Sequence, residues 1–160
     1  MTPTEWVATI VALRQGLETL PAAVRALPAD RIDAIAAAAV WSAHEVVSHL
    51  ADAEQVYGVR LRMLVTQERP FLKAYDQDAW AFRFANLETV DATLDRWMVL
   101  RRANLAVFAS LKDDEWTRPG DHEETMHLGR VETPESVACT LASHTSQHLD
   151  QMREAIGSCC

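Results

Sequence analysis

The chain has 160 residues, 49% of them hydrophobic, with only five glycines and six prolines, a balance that favours one helical domain over residues 1–160 rather than a disordered chain or a β-sandwich. Its formal net charge of −8 argues against a general nucleic-acid binder, although it leaves room for a small basic patch. Its longest apolar run, Ile35 to Trp41, is far too short to cross a membrane. The amino terminus lacks signal-peptide features, and three cysteines, including Cys159 and Cys160, form no disulfide framework, so we expect a cytoplasmic protein.

The first predicted helix begins at the amino terminus. Thr2 is its expected N-cap, Pro3 its first residue and Glu5 the partner in a capping box. Apolar residues then recur at steps of four and three, which predicts a helical seam formed by Trp6, Ile10, Leu13, Leu17, Leu20 and Val24. Because Pro21 lies inside this pattern and lacks an N–H, we expect the helix to kink or end there. We interpret residues 28–40 as a connection with a short helical turn.

The second predicted helix begins at Ser42 and ends near Gln67. Glu45, three residues after Ser42, completes a second capping-box pattern. His49 lies at the edge of the apolar stripe of this helix, about 60° from its centre, and Asp52 lies further round on the same flank. The stripe itself consists of Val46, Leu50, Ala53, Tyr57, Leu61 and Leu64.

Residues 70–86, which read PFLKAYDQDAWAFRFAN, are rich in aromatic side chains and have no steady period. We interpret this segment as a long loop with a short helical piece that packs over one end of a bundle. Loops of this length are often functional. Four aromatic residues of this segment could form one wall of a pocket: Tyr75, Trp80, Phe82 and Phe84.

The third predicted helix has Asn86 as its cap and carries an arginine, Arg101, near the middle of its inner face. The rest of that face is apolar and comprises Leu87, Val90, Leu94, Trp97, Leu105 and Phe108. An unpaired buried charge is very costly, so two alternatives remain open for Arg101. Either its head group extends to a wet end of the bundle, or it points into a polar cavity where acidic side chains or a substrate anion balance it.

A polar connection at residues 112–132 leads to the fourth predicted helix. Thr133 is the expected N-cap of this helix and Pro134 its first residue. Four amphipathic helices with long second and last connections predict an all-α protein, a four-helix bundle.

The fourth helix carries two histidines, His144 and His148, on its apolar side. At 100° per residue they share a band less than about 90° wide with Val137, Leu141, Met152 and Ala155. Side chains at i and i+4 lie about 5–6 Å apart at Cβ, which suits two nitrogens on one metal ion. The same pair could instead be two hydrogen-bonded core residues, and a third ligand is needed to favour a metal.

The other four histidines offer one suitable third ligand. His44 and His49 are about 140° apart round a helix, so one helix cannot easily present both to a metal, and His44 is expected at the surface. His122 and His127 are one residue too far apart for the H-E-x-x-H pattern and lie in a predicted loop. The paired Glu-x-x-His motifs of ferritin-like bundles are also missing. The remaining combination joins His49 to the pair on the fourth helix, which leaves positions open for water and substrate, as in catalytic sites.

Three stretches of sequence are characteristic in combination. The second helix reads WSAHEVVSHLADAEQVYGVRLRML, RPGDH precedes the last helix, and HTSQHLDQMREA lies within it. With these motifs the chain resembles the DinB-like (damage-inducible, YfiT-type) superfamily along nearly its whole length. The resemblance implies an up-down-down-up bundle, often a homodimer, with a divalent metal on His49, His144 and His148. The chain departs from the family pattern at residues 34–40, where an alanine run replaces a Pro/Gly-containing loop.

Relatives in this family include thiol-dependent isomerases and S-transferases as well as metal-dependent hydrolases, and three hypotheses follow. The first is an enzyme with Zn, Ni or Fe and a small-molecule substrate, in which Asp52 orients His49 or a bound water while Arg101 and Glu54 add polarity to the pocket. A low-molecular-weight thiol is favoured over water as the nucleophile, because the sequence shows no obvious general base. The second is a non-enzymatic stress-response protein that binds metal or ligand. The third is a metal-free polar cluster, bonded to Asp52, Arg101 or Gln151.

Overall fold

The computed structural model describes residues 3–34 and 41–157. Its helices are α1 (Pro3–Arg25), α2 (Ala43–Thr66), α3 (Gln77–Phe84), α4 (Val90–Ser110) and α5 (Pro134–Gly157), and its strands are β1 (Phe71–Leu72), β2 (Gly120–His122) and β3 (Val131–Glu132). The expectations for Thr2, for the alanine run and for Cys159 and Cys160 lie outside the described residues. Among the described helices, none is long and apolar enough to cross a membrane.

Local capping explains where two of the long helices begin. The Ser42 side chain accepts a hydrogen bond from the Glu45 backbone N–H, and the Glu45 carboxylate accepts one from the Ser42 N–H, which completes the predicted capping box. At α5, the Thr133 hydroxyl accepts from the Ser136 N–H, and Pro134 is the first helical residue. Both N-terminal predictions are therefore confirmed.

Two other boundaries differ from expectation. Of the two alternatives at Pro21, the helix end is wrong: α1 continues through Pro21 to Arg25, since Leu20 and Val24 on either side are buried in the core and their packing outweighs one lost backbone hydrogen bond. The cap of α4 is Thr89 and not Asn86: the Thr89 hydroxyl accepts from the Ala92 N–H. Asn86 lies inside a short 3₁₀ turn, so its backbone already has a helical conformation that an N-cap does not adopt.

The helix directions follow from contacts between named residues. Along α2 and α4, Asp52 pairs with Arg96 and Glu54 with Asn104, so these two helices run parallel. Helices α1 and α5 are also parallel, because the starts of both contact the same residue, Trp116, while Gly16 and Thr145 approach each other further along.

Helices α2 and α5 run antiparallel. His49 near the start of α2 contacts His144 and His148 late in α5, whereas Leu61 and Val137 share a core cluster. The result is the expected up-down-down-up four-helix bundle, and its parallel α2–α4 pair requires the long connection that contains α3.

A small sheet joins the two long connections. Strand β1 pairs with β2 in parallel, and β2 pairs with β3 in antiparallel orientation. Arg69 donates three hydrogen bonds to the carboxylate of Asp121, and Lys73 pairs with Glu123. These contacts hold residues 70–76 beside residues 120–132, and both connections line a cleft with His144 of α5.

The core consists of two apolar clusters with a polar layer between them. One cluster is built around Leu13, Leu61, Leu64, Leu105, Phe108, Val137 and Leu141, and the other around Leu20, Val47, Leu50, Leu94, Trp97, Leu149 and Met152. Full burial of each such side chain stabilises the fold by about 1.5–3 kcal/mol. The layer between the clusters contains the ion pair of Arg101 with Glu54, each 1% exposed.

Candidate metal centre

Three histidines from two helices meet at one point. His49 comes from α2, and His144 and His148 lie one turn apart on α5. Nε2 of His144 is 3.0 Å from Nε2 of His49 and 3.0 Å from Nε2 of His148. One ring nitrogen from each residue lies within 4.8 Å of the other two, and this group is the one set of ligand atoms with metal-binding spacing among the described residues. The structure thus brings together the three residues that the sequence singled out.

Hydrogen bonding alone does not account for this convergence. His148 Nδ1 lies 2.8 Å from Gln151 Oε1, so Nδ1 carries the proton and Nε2 presents a lone pair toward His144. A neutral imidazole has one N–H, and Nε2 of His144 therefore cannot donate to both neighbours at once. A divalent ion resolves the conflict, because zinc–nitrogen bonds of about 2.0–2.1 Å place tetrahedral ligand nitrogens about 3.3 Å apart. The donor set fits a metal.

The three imidazoles are held in the neutral form that a metal requires. Burial, and then the neighbouring His144 and His148, lower the pKa of His49 to about 3. Burial, His148 and Arg101 lower the pKa of His144 to about 4. The pKa of His148 is also lowered by burial, an effect that its hydrogen bond to Gln151 opposes. At neutral pH each ring therefore offers a lone pair rather than a positive charge.

Trp41 forms the apolar cover of the cluster. Its ring centroid lies 4.7 Å from that of His49 and 6.0 Å from that of His148. Such contact fixes the orientation of both imidazoles and keeps water away from one side of them. Trp41 was not predicted as a site residue, although its position directly before Ser42, the cap of the helix that carries His49, was a usable signal.

A cleft of about 560 Å³ opens beside the cluster. His144 is the member of the cluster that lines it, and the other lining residues are Tyr57, Arg60, Ala74, Tyr75, Asp76, Gln77, His122 and Glu124. Burial raises the pKa of Tyr75 to about 12, so its hydroxyl keeps its proton. The cleft therefore offers hydrogen-bond donors and charges of both signs to a molecule that reaches His144.

The two histidines of the HEETMH segment are separated by the fold. His122 ends strand β2 and lines the cleft, whereas His127 is an exposed residue of a 3₁₀ turn. No helix presents both, as expected. His44, however, was wrongly expected at the surface. It is 7% exposed, because Ile32 and Asp33 lie against the first turn of α2: the Ile32 carbonyl accepts from the His44 backbone N–H, and Asp33 Oδ1 lies 3.0 Å from His44 Nδ1.

Asp52 does not orient His49 directly. Its Oδ1 accepts a hydrogen bond of 2.9 Å from Arg96 Nη1, and Arg96 also binds Glu88. Neither Asp52 Oδ2 nor His49 Nδ1 has a hydrogen-bond partner among the described residues. The carboxylate therefore lies on the flank of α2 that the helical wheel predicted, but its partner is a guanidinium of α4.

Of the four aromatic residues expected to form a pocket wall, one lines the cleft. Tyr75 lines it and packs edge to face against Trp80, at 5.0 Å between ring centroids. Trp80 in turn contacts Phe84, and Phe82 is 81% exposed. The predicted short helical piece is present as α3, while the wall formed by four aromatic residues reduces to Tyr75 with Trp80 behind it.

Arg101 joins all four long helices beneath the histidines. Its Nε donates to Glu54 Oε1 at 2.6 Å, and its two Nη groups donate to the carbonyls of Leu13 and Leu141 and to the Thr145 hydroxyl. At 1% exposure it does not extend to solvent. The extension to a wet end of the bundle is therefore wrong, and Glu54 is the acidic partner that balances the charge. Neither Arg101 nor Glu54 is among the residues that line the cleft, so the expectation that they add polarity to the pocket is not met there. Thr145, next to His144 in the chain, is bonded directly to this network.

Comparison with known proteins identifies the family. "Putative metal-dependent hydrolase YfiT" of Bacillus subtilis is 25% identical over 149 residues, covering 89% of this chain and 83% of the relative. "Putative metal-dependent hydrolase OB0782" of Oceanobacillus iheyensis is 29% identical over 105 residues, covering 61% and 59%.

A solved structure of YfiT from Bacillus subtilis, described as "a probable metal-dependent hydrolase with an unusual four-helix bundle topology", superposes with a TM-score of 0.88 at 22% identity, covering 97% of this chain and 87% of that one. The similarity at this identity establishes the fold. The family model of the DinB superfamily matches residues 12–152, and the chain therefore belongs to the DinB superfamily.

Proposed function

We propose that the protein is a divalent-metal-dependent enzyme in which His49, His144 and His148 hold the ion. The observation that carries this proposal is the convergence of three neutral ring nitrogens beside a cleft. When bound, such an ion supplies Lewis acidity, which lowers the pKa of a water or thiol and polarises a substrate. Three histidine ligands leave positions open for these molecules, and Zn, Ni and Fe all accept imidazole.

The remaining residues of the site hold the ligands in place. Gln151 Oε1 accepts a hydrogen bond from the Nδ1–H group of His148 and thereby fixes the tautomer of that ring. Trp41 covers the rings of His49 and His148. Arg101 ties the α5 backbone at Leu141 to the other long helices. Each contact reduces the freedom of an imidazole, so the geometry is preorganised before an ion arrives.

A small molecule is the partner that the cleft fits. Its volume of about 560 Å³ lies within the range of roughly 300–1,000 Å³ that small-molecule sites occupy. We infer that a low-molecular-weight thiol is the nucleophile, in an S-transferase or isomerase reaction. The support is that the ion itself would lower the pKa of a bound thiol, so this reaction needs no separate general base.

Hydrolysis is the second candidate reaction. Glu124 and His122 both line the cleft beside His144, and either could remove a proton from water. Neither Glu124 nor His122 was predicted as a general base, because both lie in the long connection between α4 and α5, where the sequence has no helical period to indicate which side chains face the site. The names of the relatives from Bacillus subtilis and Oceanobacillus iheyensis point in the same direction.

A turnover panel tests the proposal. Metal-loaded protein is given chloro-aromatic and epoxide substrates with and without a low-molecular-weight thiol, together with ester substrates in water. We expect thiol-dependent turnover that His148→Ala abolishes and that His127→Ala, a histidine exposed outside the cluster, retains. Ester turnover without thiol supports the hydrolase instead. Tight metal retention with no turnover in any arm contradicts enzymatic function and favours the stress-response binding protein.

The assembly and location of the protein are proposed from the sequence. We expect a homodimer in the cytoplasm with no nucleic-acid partner. Light scattering coupled to size-exclusion chromatography tests the first expectation, with a mass of about twice the 17.9 kDa of one chain as the expected result and a mass of one chain as the contradicting one.

A further inference from the structure

One charged side chain in the cleft is buried without a full set of partners. Arg60 of α2 is 5% exposed and lines the cleft beside His144. Its Nη2 donates to the Lys73 carbonyl at 2.7 Å, and its guanidinium lies 5.1 Å from the ring centroid of Tyr57. Its Nε has no hydrogen-bond partner among the described residues.

The nearest carboxylate does not complete the coordination of this guanidinium. Glu132 Oε2 lies 3.7 Å from Arg60 Nη1, which is an ion pair but too long for a hydrogen bond. That same oxygen is buried and lacks a hydrogen-bond partner in the described part of the chain. Glu132 therefore balances part of the charge of Arg60, while the Nε–H group of Arg60 has no acceptor among the described residues.

The Arg60 N–H group that lacks a partner in the described part of the chain suits a carboxylate ligand. A guanidinium presents its N–H groups as a planar fork that matches the two oxygens of a carboxylate. A buried donor without an acceptor destabilises the protein, and a ligand carboxylate would supply the missing acceptor. The other charges of the cleft, Asp76 and Glu124, are exposed, so water screens them more strongly than Arg60.

We propose that Arg60 binds a carboxylate of the small molecule on which the histidine cluster acts. The substrate class is thus a carboxylate-bearing thiol, or a carboxylate-bearing electrophile that meets it. The position of Arg60 and His144 on the same cleft sets the arrangement: the carboxylate lies at α2 while the reacting atom faces the histidines. This inference rests on the proposed function of the cluster and adds its specificity residue.

Thiol binding to cobalt-loaded protein provides the first test. The thiolate-to-cobalt absorption band reports affinity for 3-mercaptopropionate, which carries a carboxylate, and for 2-mercaptoethanol, which does not. We expect the wild type to prefer 3-mercaptopropionate by about tenfold or more, the value of one charge-assisted hydrogen-bonded pair. Arg60→Gln should lose that preference and Arg60→Lys should keep part of it. Arg83→Gln removes an equal charge from an exposed position on α3 and should change nothing.

A second measurement works without any metal. In a nitrogen–proton correlation spectrum, the Arg60 Nε–H resonance should shift when propionate is added and stay in place with 1-propanol. Thermal melts and cobalt content of Arg60→Gln establish that the variant folds. Should it fail to fold, the resonance of the wild-type protein decides the question alone.

The outcomes separate the two proposals. Equal affinity of both thiols for wild-type protein overturns the role of Arg60 and leaves the metal-dependent function standing. If neither thiol produces a cobalt band, the thiol reaction is overturned, and the propionate titration then decides on Arg60. A propionate-dependent shift supports carboxylate binding, and its absence at high concentration overturns it.

Discussion

Replacing Glu54 by Gln removes the charge that balances Arg101. Both carboxylate oxygens are in use: Oε1 accepts from Arg101 Nε at 2.6 Å, and Oε2 accepts from Asn104 Nδ2 at 2.8 Å. A glutamine has one acceptor oxygen, so one of the two donors must face an N–H group. Because Glu54 and Arg101 are each 1% exposed, water does not replace the lost partner.

The expected loss is about 3–5 kcal/mol of unfolding free energy, the usual cost of leaving one buried charge unpaired. For a domain with a total stability of about 5–15 kcal/mol this is a large fraction. With a urea slope near 2 kcal/mol/M, the unfolding midpoint should fall by roughly 2 M. Urea titration followed by circular dichroism measures both the midpoint and the slope.

Two controls make the result specific. Glu18→Gln removes an equal charge from an exposed position on α1 and should change stability by no more than about 0.5 kcal/mol. The double variant Glu54→Leu with Arg101→Met removes both charges and should recover much of the loss, because two apolar residues need no partner. A loss below about 1 kcal/mol for Glu54→Gln would refute the reasoning that the pair is a tightly coupled buried interaction.

Three further predictions concern stability. Gly58→Ala should destabilise the fold by about 1–3 kcal/mol, measured by urea titration, because the new Cβ would lie 2.5 Å from Asn104 Oδ1. An unchanged urea unfolding midpoint would contradict the close approach of α2 and α4. Ser42→Ala should cost about 1 kcal/mol by removing the cap of α2, measured in the same way, and no loss would mean that the cap contributes little. Metal-free protein should lose stability as the pH falls from about 6.5 toward 4, because folding lowers the pKa values of His49 and His144 and the unfolded chain therefore binds more protons in that window. The unfolding free energy should fall by up to about 1.4 kcal/mol per pH unit for each histidine. Urea midpoints that stay constant across this range would show that the rings are not buried in neutral form.

The histidine cluster could be anticipated from the sequence because its geometry is local. His144 and His148 are one helical turn apart, and His49 lies at the edge of the apolar stripe of another helix, so helical periodicity indicates that these rings can face the interior. The caps at Ser42 and Thr133 were readable for the same reason. Each depends on residues three or four positions apart, whose relative placement the helix determines. The choice of His49 as the third ligand came from the exclusion of the other histidines and from the family resemblance.

The parts that escaped prediction depend on contacts distant in sequence. The cleft joins Tyr57 and Arg60 of α2 to His122 and Glu124, which lie more than sixty positions further along the chain. The strands that bring these segments together have two or three residues each, too few to show an alternating pattern. His44 gave no local sign of its burial, because the residue that pairs with it, Asp33, lies in the preceding connection.

Metal content measured by elemental analysis tests the central claim most directly. Purified wild-type protein, dialysed after exposure to zinc, nickel or ferrous iron, should retain about one divalent ion per chain. His49→Ala, His144→Ala and His148→Ala should each lose most of it, while His127→Ala should retain it. Wild-type protein that binds none of these ions, or a His49→Ala variant that keeps its full content, would contradict the assignment of these three histidines as a metal centre.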